Sequence, residues 1–91
     1  MRWFVEITRV GKGDVLDELC VEAAHWQNAL KKARALRHEG NALEGNGLEG
    51  LSVELVADGC HALDGATALR YLVSKAPDEE PLIERSRRGG A

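Results

Sequence analysis

The feature that most constrains the fold is an alternation of apolar and polar residues in the first quarter of the chain. It covers residues 2–10 and resumes over residues 15–23. A period of two places every second side chain on the same face of a strand. The residues between the two runs, Gly11-Lys12-Gly13-Asp14, are typical of a turn. The pattern therefore predicts a β-hairpin. Its expected core residues are Trp3, Val5, Ile7, Leu19 and Val21.

One helix is predicted after the hairpin, from about residue 24 to about residue 39. Its apolar residues recur at the spacing of a single helical face; they are Trp26, Ala29, Leu30, Ala33 and Leu36. Gly40 and Asn41 tolerate a left-handed backbone and predict its end. Lys31, Arg34 and His38 are expected on the opposite, solvated face. Such a basic stripe could contact an acidic partner or a phosphate backbone.

The second half of the chain predicts more strands. Residues 40–50 hold four glycines and predict a loop, after which Leu51, Val53 and Leu55 alternate towards the core. Asp58-Gly59 predicts a hairpin turn. A short strand over 60–63 and a last strand over 67–75 follow, and Pro77 ends the last one. The fold class is therefore α+β, in the order ββαββ with a possible extra short strand, giving a four- to five-stranded antiparallel or mixed sheet with the helix packed on one face.

The chain of 91 residues has room for one domain, which we place at residues 1–76. Residues 77–91 are polar with clustered charges and predict a disordered tail or linker. The sequence contains no apolar run long enough to span a bilayer, so no membrane partner is expected. The first residues show no signal-peptide pattern, which predicts a cytoplasmic protein.

The charged and chemically reactive residues indicate binding rather than catalysis. With 12 basic and 15 acidic side chains, the net charge of −3 argues against a nucleic-acid partner. Cys20, His25 and Cys60 could be imagined as metal ligands, but they lack the close pair spacing of a metal site. No nucleophile has a recognisable base and orienting group beside it. We therefore expect no metal, no cofactor and no enzymatic activity.

Phe4, Val56 and Leu72 lie on the side of their strands that the alternation assigns to solvent. Three apolar side chains on one sheet face form a patch, and such patches mark interaction sites. The sequence therefore favours a small non-catalytic interaction module, an adaptor or recognition domain, whose partner is another protein. Self-association into a homo-oligomer is left open.

A second hypothesis comes from a resemblance. The chain ends in Arg87-Arg88-Gly89-Gly90-Ala91, opens with Met1-Arg2-Trp3-Phe4-Val5-Glu6 and contains Leu63-Asp64-Gly65-Ala66-Thr67-Ala68-Leu69-Arg70-Tyr71. Together with the order hairpin, helix, hairpin, these segments resemble ubiquitin-like modifiers and the related sulfur carriers of the β-grasp fold.

The resemblance implies that Gly90 is activated as a C-terminal adenylate or thioester once a protease has removed Ala91. Gly89 and Gly90 would then form a thread without side chains that fits a narrow enzyme channel.

Overall fold

The structure is a computed structural model that describes residues 1–37, 50–65 and 67–85. The described elements are, in chain order, β1 (Arg2–Arg9), β2 (Val15–Glu22), α1 (Trp26–Arg37), β3 (Leu51–Val56), β4 (Gly59–Asp64) and β5 (Leu69–Ala76). The α+β class and a single sheet with one helix are confirmed. Three strands follow the helix, so the possible extra short strand is present and the order is ββαβββ.

The five strands form one sheet in the order β2-β1-β5-β4-β3, and every pair of neighbours is antiparallel. The last three strands form a meander, and β5 then pairs with β1, so the C-terminal meander is joined to the N-terminal hairpin at the centre of the sheet. This arrangement leaves β2 and β3 at the two edges of the sheet.

The ends of the elements follow from local backbone chemistry. The helix begins at Trp26, two residues later than expected, and the N–H groups of Asn28 and Ala29 donate to the carbonyl of His25 at 3.1 and 3.2 Å. The strand β5 ends at Ala76 because Pro77 cannot donate a backbone hydrogen bond. The predicted helix end at Gly40 and most of the predicted loop over 40–50 lie outside the described residues.

The core lies between α1 and one face of the sheet, and α1 packs mainly against β1, β2 and β5. The buried residues that form it are Trp3, Val5, Ile7, Leu19, Val21, Ala29, Leu30, Ala33, Cys60, Ala62, Tyr71 and Val73. Val53 and Leu55 were expected in this core, but they are 40% and 66% exposed. The reason is the position of α1, which covers the β2 side of the sheet more than the β3 side.

Gly59 is required where β4 and β5 approach each other. A Cβ atom at this position would lie 1.8 Å from the carbonyl oxygen of Val73. No side chain fits at that distance, so the closing residue of the β3–β4 turn must be glycine.

The tail departs from the predicted disorder at Ile83 and Glu84. Ile83 and Cys20 exchange backbone hydrogen bonds of 3.0 and 2.9 Å, which adds one antiparallel bridge to the outer edge of β2. Lys32 Nζ lies 2.6 Å from a carboxylate oxygen of Glu84. The edge of a sheet presents unpaired backbone groups, and these give the tail a place to bind. Residues 86–91 lie outside the described residues.

Within residues 1–37, 50–65 and 67–85 the one helix is α1, and it is too short to cross a bilayer.

Candidate partner-binding surface

The sheet face that points away from α1, here called the outer face, brings the three patch residues together. Phe4 lies opposite Ser74, and Ser74 lies opposite Gly59, whose other neighbour is Val56. Leu72 lies in the next row, two residues before Ser74 along β5. Phe4, Val56 and Leu72 thus line one groove of about 460 Å³. Their role in binding a partner stays a prediction.

The groove combines apolar walls with polar ends. Phe4 and Val56 are 39% and 38% exposed, while Leu72 is half-buried. His61 lies directly opposite Leu72 and lines the groove beside it. His61 also lines a neighbouring depression together with Leu63 and Arg70, so the outer face extends beyond the groove towards β3 and β4.

Two glutamates face each other at the β2 end of the groove. Glu6 of β1 lies directly opposite Glu18 of β2, and both line the groove. The backbone groups of Cys20 point to Ile83, away from β1, so the pair of Cys20 with Phe4 is not hydrogen-bonded. Hydrogen-bonded and non-hydrogen-bonded pairs alternate along two antiparallel strands. Glu6–Glu18 lies two residues from Phe4–Cys20 and is therefore also a non-hydrogen-bonded pair, with about 4.5 Å between Cα atoms. Like charges this close repel each other.

Glu54 lies on the same row at the other end, opposite His61. Glu54 lines the neighbouring depression rather than the groove, so the carboxylates of the groove itself are those of Glu6 and Glu18. These two negative charges suit a positively charged partner.

The prediction that Arg34 lies on a solvent-exposed basic face of α1 is wrong. This side chain is only 7% exposed, and its Nη2 atom lies 3.4 Å from Oδ2 of the buried Asp64. Lys31 is half-buried on the helix, and His38 lies outside the described residues. Lys31 and Arg34 therefore do not share a solvent-facing surface.

A signal for this burial was present in the sequence. Asp17 lies two residues before Leu19, and Asp64 lies two residues after Ala62, so strand alternation places both carboxylates on the side that faces α1. A buried carboxylate requires a cation or hydrogen-bond donors. Arg34, one helical turn after Leu30, is positioned to provide them.

The two thiols lie on opposite faces of the sheet. Cys60 is buried in the core on the helix-facing side, where desolvation raises the pKa of its thiol to about 11. Cys20 is on the outer face beside the tail, and its thiol pKa is raised by burial and then by the carboxylate of Glu80. A raised pKa keeps a thiol protonated and weakly nucleophilic at neutral pH.

Because Cys20 and Cys60 lie on opposite faces of the sheet, they cannot bind the same metal ion. Across residues 1–37, 50–65 and 67–85, no three His, Cys, Asp or Glu side chains are arranged to hold a metal.

The predicted conjugation residues Gly89 and Gly90 lie outside the described residues, so the resemblance to ubiquitin-like proteins stays a prediction. No protein-family model, curated protein or solved structure matches this chain.

Proposed function

We propose that this domain is a non-catalytic interaction module that binds a segment of another protein on its outer face. The observation that carries the proposal is the meeting of Phe4, Val56 and Leu72 around one groove that ends at the Glu6–Glu18 pair. Exposed apolar side chains collected into a patch are typical of interaction sites. Apolar area in the centre with charge at the rim is the usual anatomy of a protein interface.

The chemistry of the groove indicates the kind of segment that fits. Apolar side chains of the partner would fill the space between Phe4, Val56 and Leu72. A lysine or arginine beside them would lie near Glu6 and Glu18 and relieve their mutual repulsion. The favoured partner is therefore a protein segment with apolar anchors and at least one basic residue.

A binding role also agrees with the state of the nucleophiles. Cys20 and Cys60 are buried thiols with raised pKa values, and neither supplies a thiolate at neutral pH. Binding needs no such group, since apolar contact and charge complementarity are sufficient.

The test compares two valines of the same strand that point to opposite faces. Val56 lies on the outer face and is 38% exposed, while Val53 lies on the helix-facing side and is 40% exposed. Val56→Glu and Val53→Glu therefore introduce the same charge at equal exposure. Leu72→Glu provides a second change in the groove.

In capture from the native host, Val56→Glu and Leu72→Glu should reduce partner recovery at least about tenfold, because a buried unpaired charge is costly at an interface. Val53→Glu should leave recovery unchanged. Equal loss with both valine variants, or no loss with either, would contradict the outer face as the binding surface.

The same captured material tests the alternative, a modifier or sulfur carrier acting through Gly90. Covalent adducts that survive a denaturing gel and disappear with Gly90→Val would favour that alternative. Non-covalent partners that are retained with Gly90→Val would favour the interaction module.

A further inference from the structure

The two edges of the sheet differ in how they are protected. The edge of β2 carries the bridge between Cys20 and Ile83. Within the described residues, no strand pairs with the outer edge of β3. The strand β3 contains no proline, lysine or arginine, and it pairs with β4 from Leu51 to Val56 without a bulge. Proline, lysine and bulges are among the features with which proteins block a sheet edge. None of them occurs in β3, whose one charged side chain, Glu54, points to the outer face, so within the described residues this edge can accept another strand.

Backbone hydrogen bonding shows which residues of β3 face outwards. The N–H of Lys75 donates to the carbonyl of Asp58, so Lys75 and, by alternation, Val73 point towards β4. Val73 lies opposite Cys60, so Cys60 bonds to β5 and its neighbour Gly59 bonds to β3.

Gly59 pairs with Val56 across the two-residue turn, so Val56 directs its backbone groups to β4. The direction of the backbone N–H and C=O groups alternates along a strand, so Glu54 and Ser52 also point to β4 and the other residues of β3 point the opposite way. Leu51, Val53 and Leu55 therefore direct their N–H and C=O groups away from the sheet.

The same three residues also present their side chains together. Leu51, Val53 and Leu55 lie opposite Asp64, Ala62 and Cys60 and therefore point to the side of α1. The helix packs mainly against β1, β2 and β5, which leaves Val53 40% and Leu55 66% exposed. Backbone donors, backbone acceptors and an apolar row thus coincide on one edge.

We propose that two copies of this chain associate through β3, antiparallel, with Val53 opposite the partner's Val53. In this register Leu51 lies opposite the partner's Leu55. All of these pairs join residues whose backbone groups point outwards, and each pair exchanges two hydrogen bonds. Their side chains meet on the helix-facing side and form a continuous apolar row across both copies.

The register centred on Val53 is favoured over both neighbours that keep the side chains on the same face. The register centred on Ser52 would leave only two outward-facing pairs within β3, Leu51 with Val53 twice, instead of three. Placing Glu54 opposite the partner's Glu54 would bring like charges together, which is destabilising. The register centred on Val53 places Glu54 opposite the partner's Ser52, whose hydroxyl can donate to the carboxylate. A shift of one residue would put apolar side chains opposite polar ones on the wrong face.

The size of the contact sets its strength. The contact consists of one pair of six-residue strands, which is small beside the roughly 1,000 Å² or more that a stable specific interface buries. The dimer is therefore weak and depends on concentration.

Sedimentation equilibrium of the full chain up to about 1 mM, the weak end of ordinary affinities, tests this. The mass should rise from 9.9 kDa towards twice that value. Val53→Pro should raise the dissociation constant at least about tenfold, because it removes an outward N–H that makes no bond within the sheet. Val56→Glu, which blocks the outer face, should leave the dimer intact, so failure of this proposal and failure of the partner site are distinguishable.

A second pair of variants tests the register in which the two β3 strands pair. These variants remain informative if Val53→Pro does not fold. Ser52→Glu would oppose the partner's Glu54 with a like charge and should weaken the dimer at least about tenfold. Ser52→Lys would oppose it with a cation and should tighten the dimer. Equal dissociation constants for the two variants would overturn the register. A mass of one chain over the whole range would overturn the dimer and leave the β3 edge to a strand of a different protein.

Discussion

The Nη2 atom of Arg34 lies 3.4 Å from Oδ2 of Asp64, and both side chains are almost completely enclosed between α1 and the sheet. Asp64 stands at the end of β4, where its other oxygen accepts a hydrogen bond of 3.4 Å from the N–H of Thr67. One charged contact therefore ties the helix to the turn between β4 and β5. Buried ion pairs of this kind add little net stability, but they are costly to break on one side only.

Replacing the arginine alone should be strongly destabilising. Arg34→Met leaves the Asp64 carboxylate buried beside an apolar side chain, and the free energy of unfolding should fall by about 3–5 kcal/mol. The measurement is urea unfolding at pH 7. Adding Asp64→Asn, which removes the charge and keeps an acceptor for Thr67, should recover part of the loss. Lys31→Met is the matched control and should change stability by no more than about 0.5 kcal/mol. A loss below about 1 kcal/mol for Arg34→Met would contradict the buried pair.

Removing residues 77–91 should uncover Cys20. Without the tail, the two backbone hydrogen bonds to Ile83 are lost, and the free energy of unfolding should fall by about 1–2 kcal/mol. Cys20 should then react with a thiol reagent in the folded protein, while Cys60 stays protected in the core. Removing only residues 86–91 is the control and should change neither property. Slow labelling of Cys20 in the shorter truncated chain would show that the tail is not its cover.

The Cys60 thiol should make stability fall at alkaline pH. Its pKa is raised from 9.0 to about 11 by burial, so the unfolded chain releases this proton at a lower pH than the folded chain. Stability from this group is complete below pH 9 and declines as the pH rises from about 9 to about 11.

The measurement is the difference in unfolding free energy between the wild type and Cys60→Ala across that range. The difference should shrink by at most about 1.4 kcal/mol per pH unit, the limit for one proton. A constant difference would mean that Cys60 is not protected from ionisation in the folded state.

Reversing one charge of the Glu6–Glu18 pair should raise the stability of the domain and weaken its binding of the partner. Glu18→Lys turns the repulsion with Glu6 into attraction, so stability should rise by about 0.2–1 kcal/mol. The same change should weaken capture of a basic partner on the outer face. Glu18→Gln, which removes the charge without reversing it, should give intermediate effects on both. Higher stability with full partner capture would show that the acidic pair does not contact the partner.

The sequence by itself determined the elements and the faces of the strands. The alternation of Trp3, Val5 and Ile7 predicted the helix-facing side of β1, and the placement of Phe4, Val56 and Leu72 on the outer side followed from the same period. These properties are local, because the pleat of a strand assigns each side chain to a face whatever the strand later pairs with. The break at Pro77 is local for the same reason, since it follows from a missing N–H.

Only the tertiary structure decided which faces and edges are covered. The pairing of β1 with β5, the burial of Arg34 against Asp64, the bridge of Ile83 to Cys20 and the exposure of Leu55 all depend on where distant segments pack. The same apolar alternation leads to a buried residue under α1 at Val5 and to an exposed one beyond it at Leu55. A period in the sequence assigns a direction to a side chain, whereas burial depends on what lies in that direction, and that is set by contacts between residues far apart in the chain.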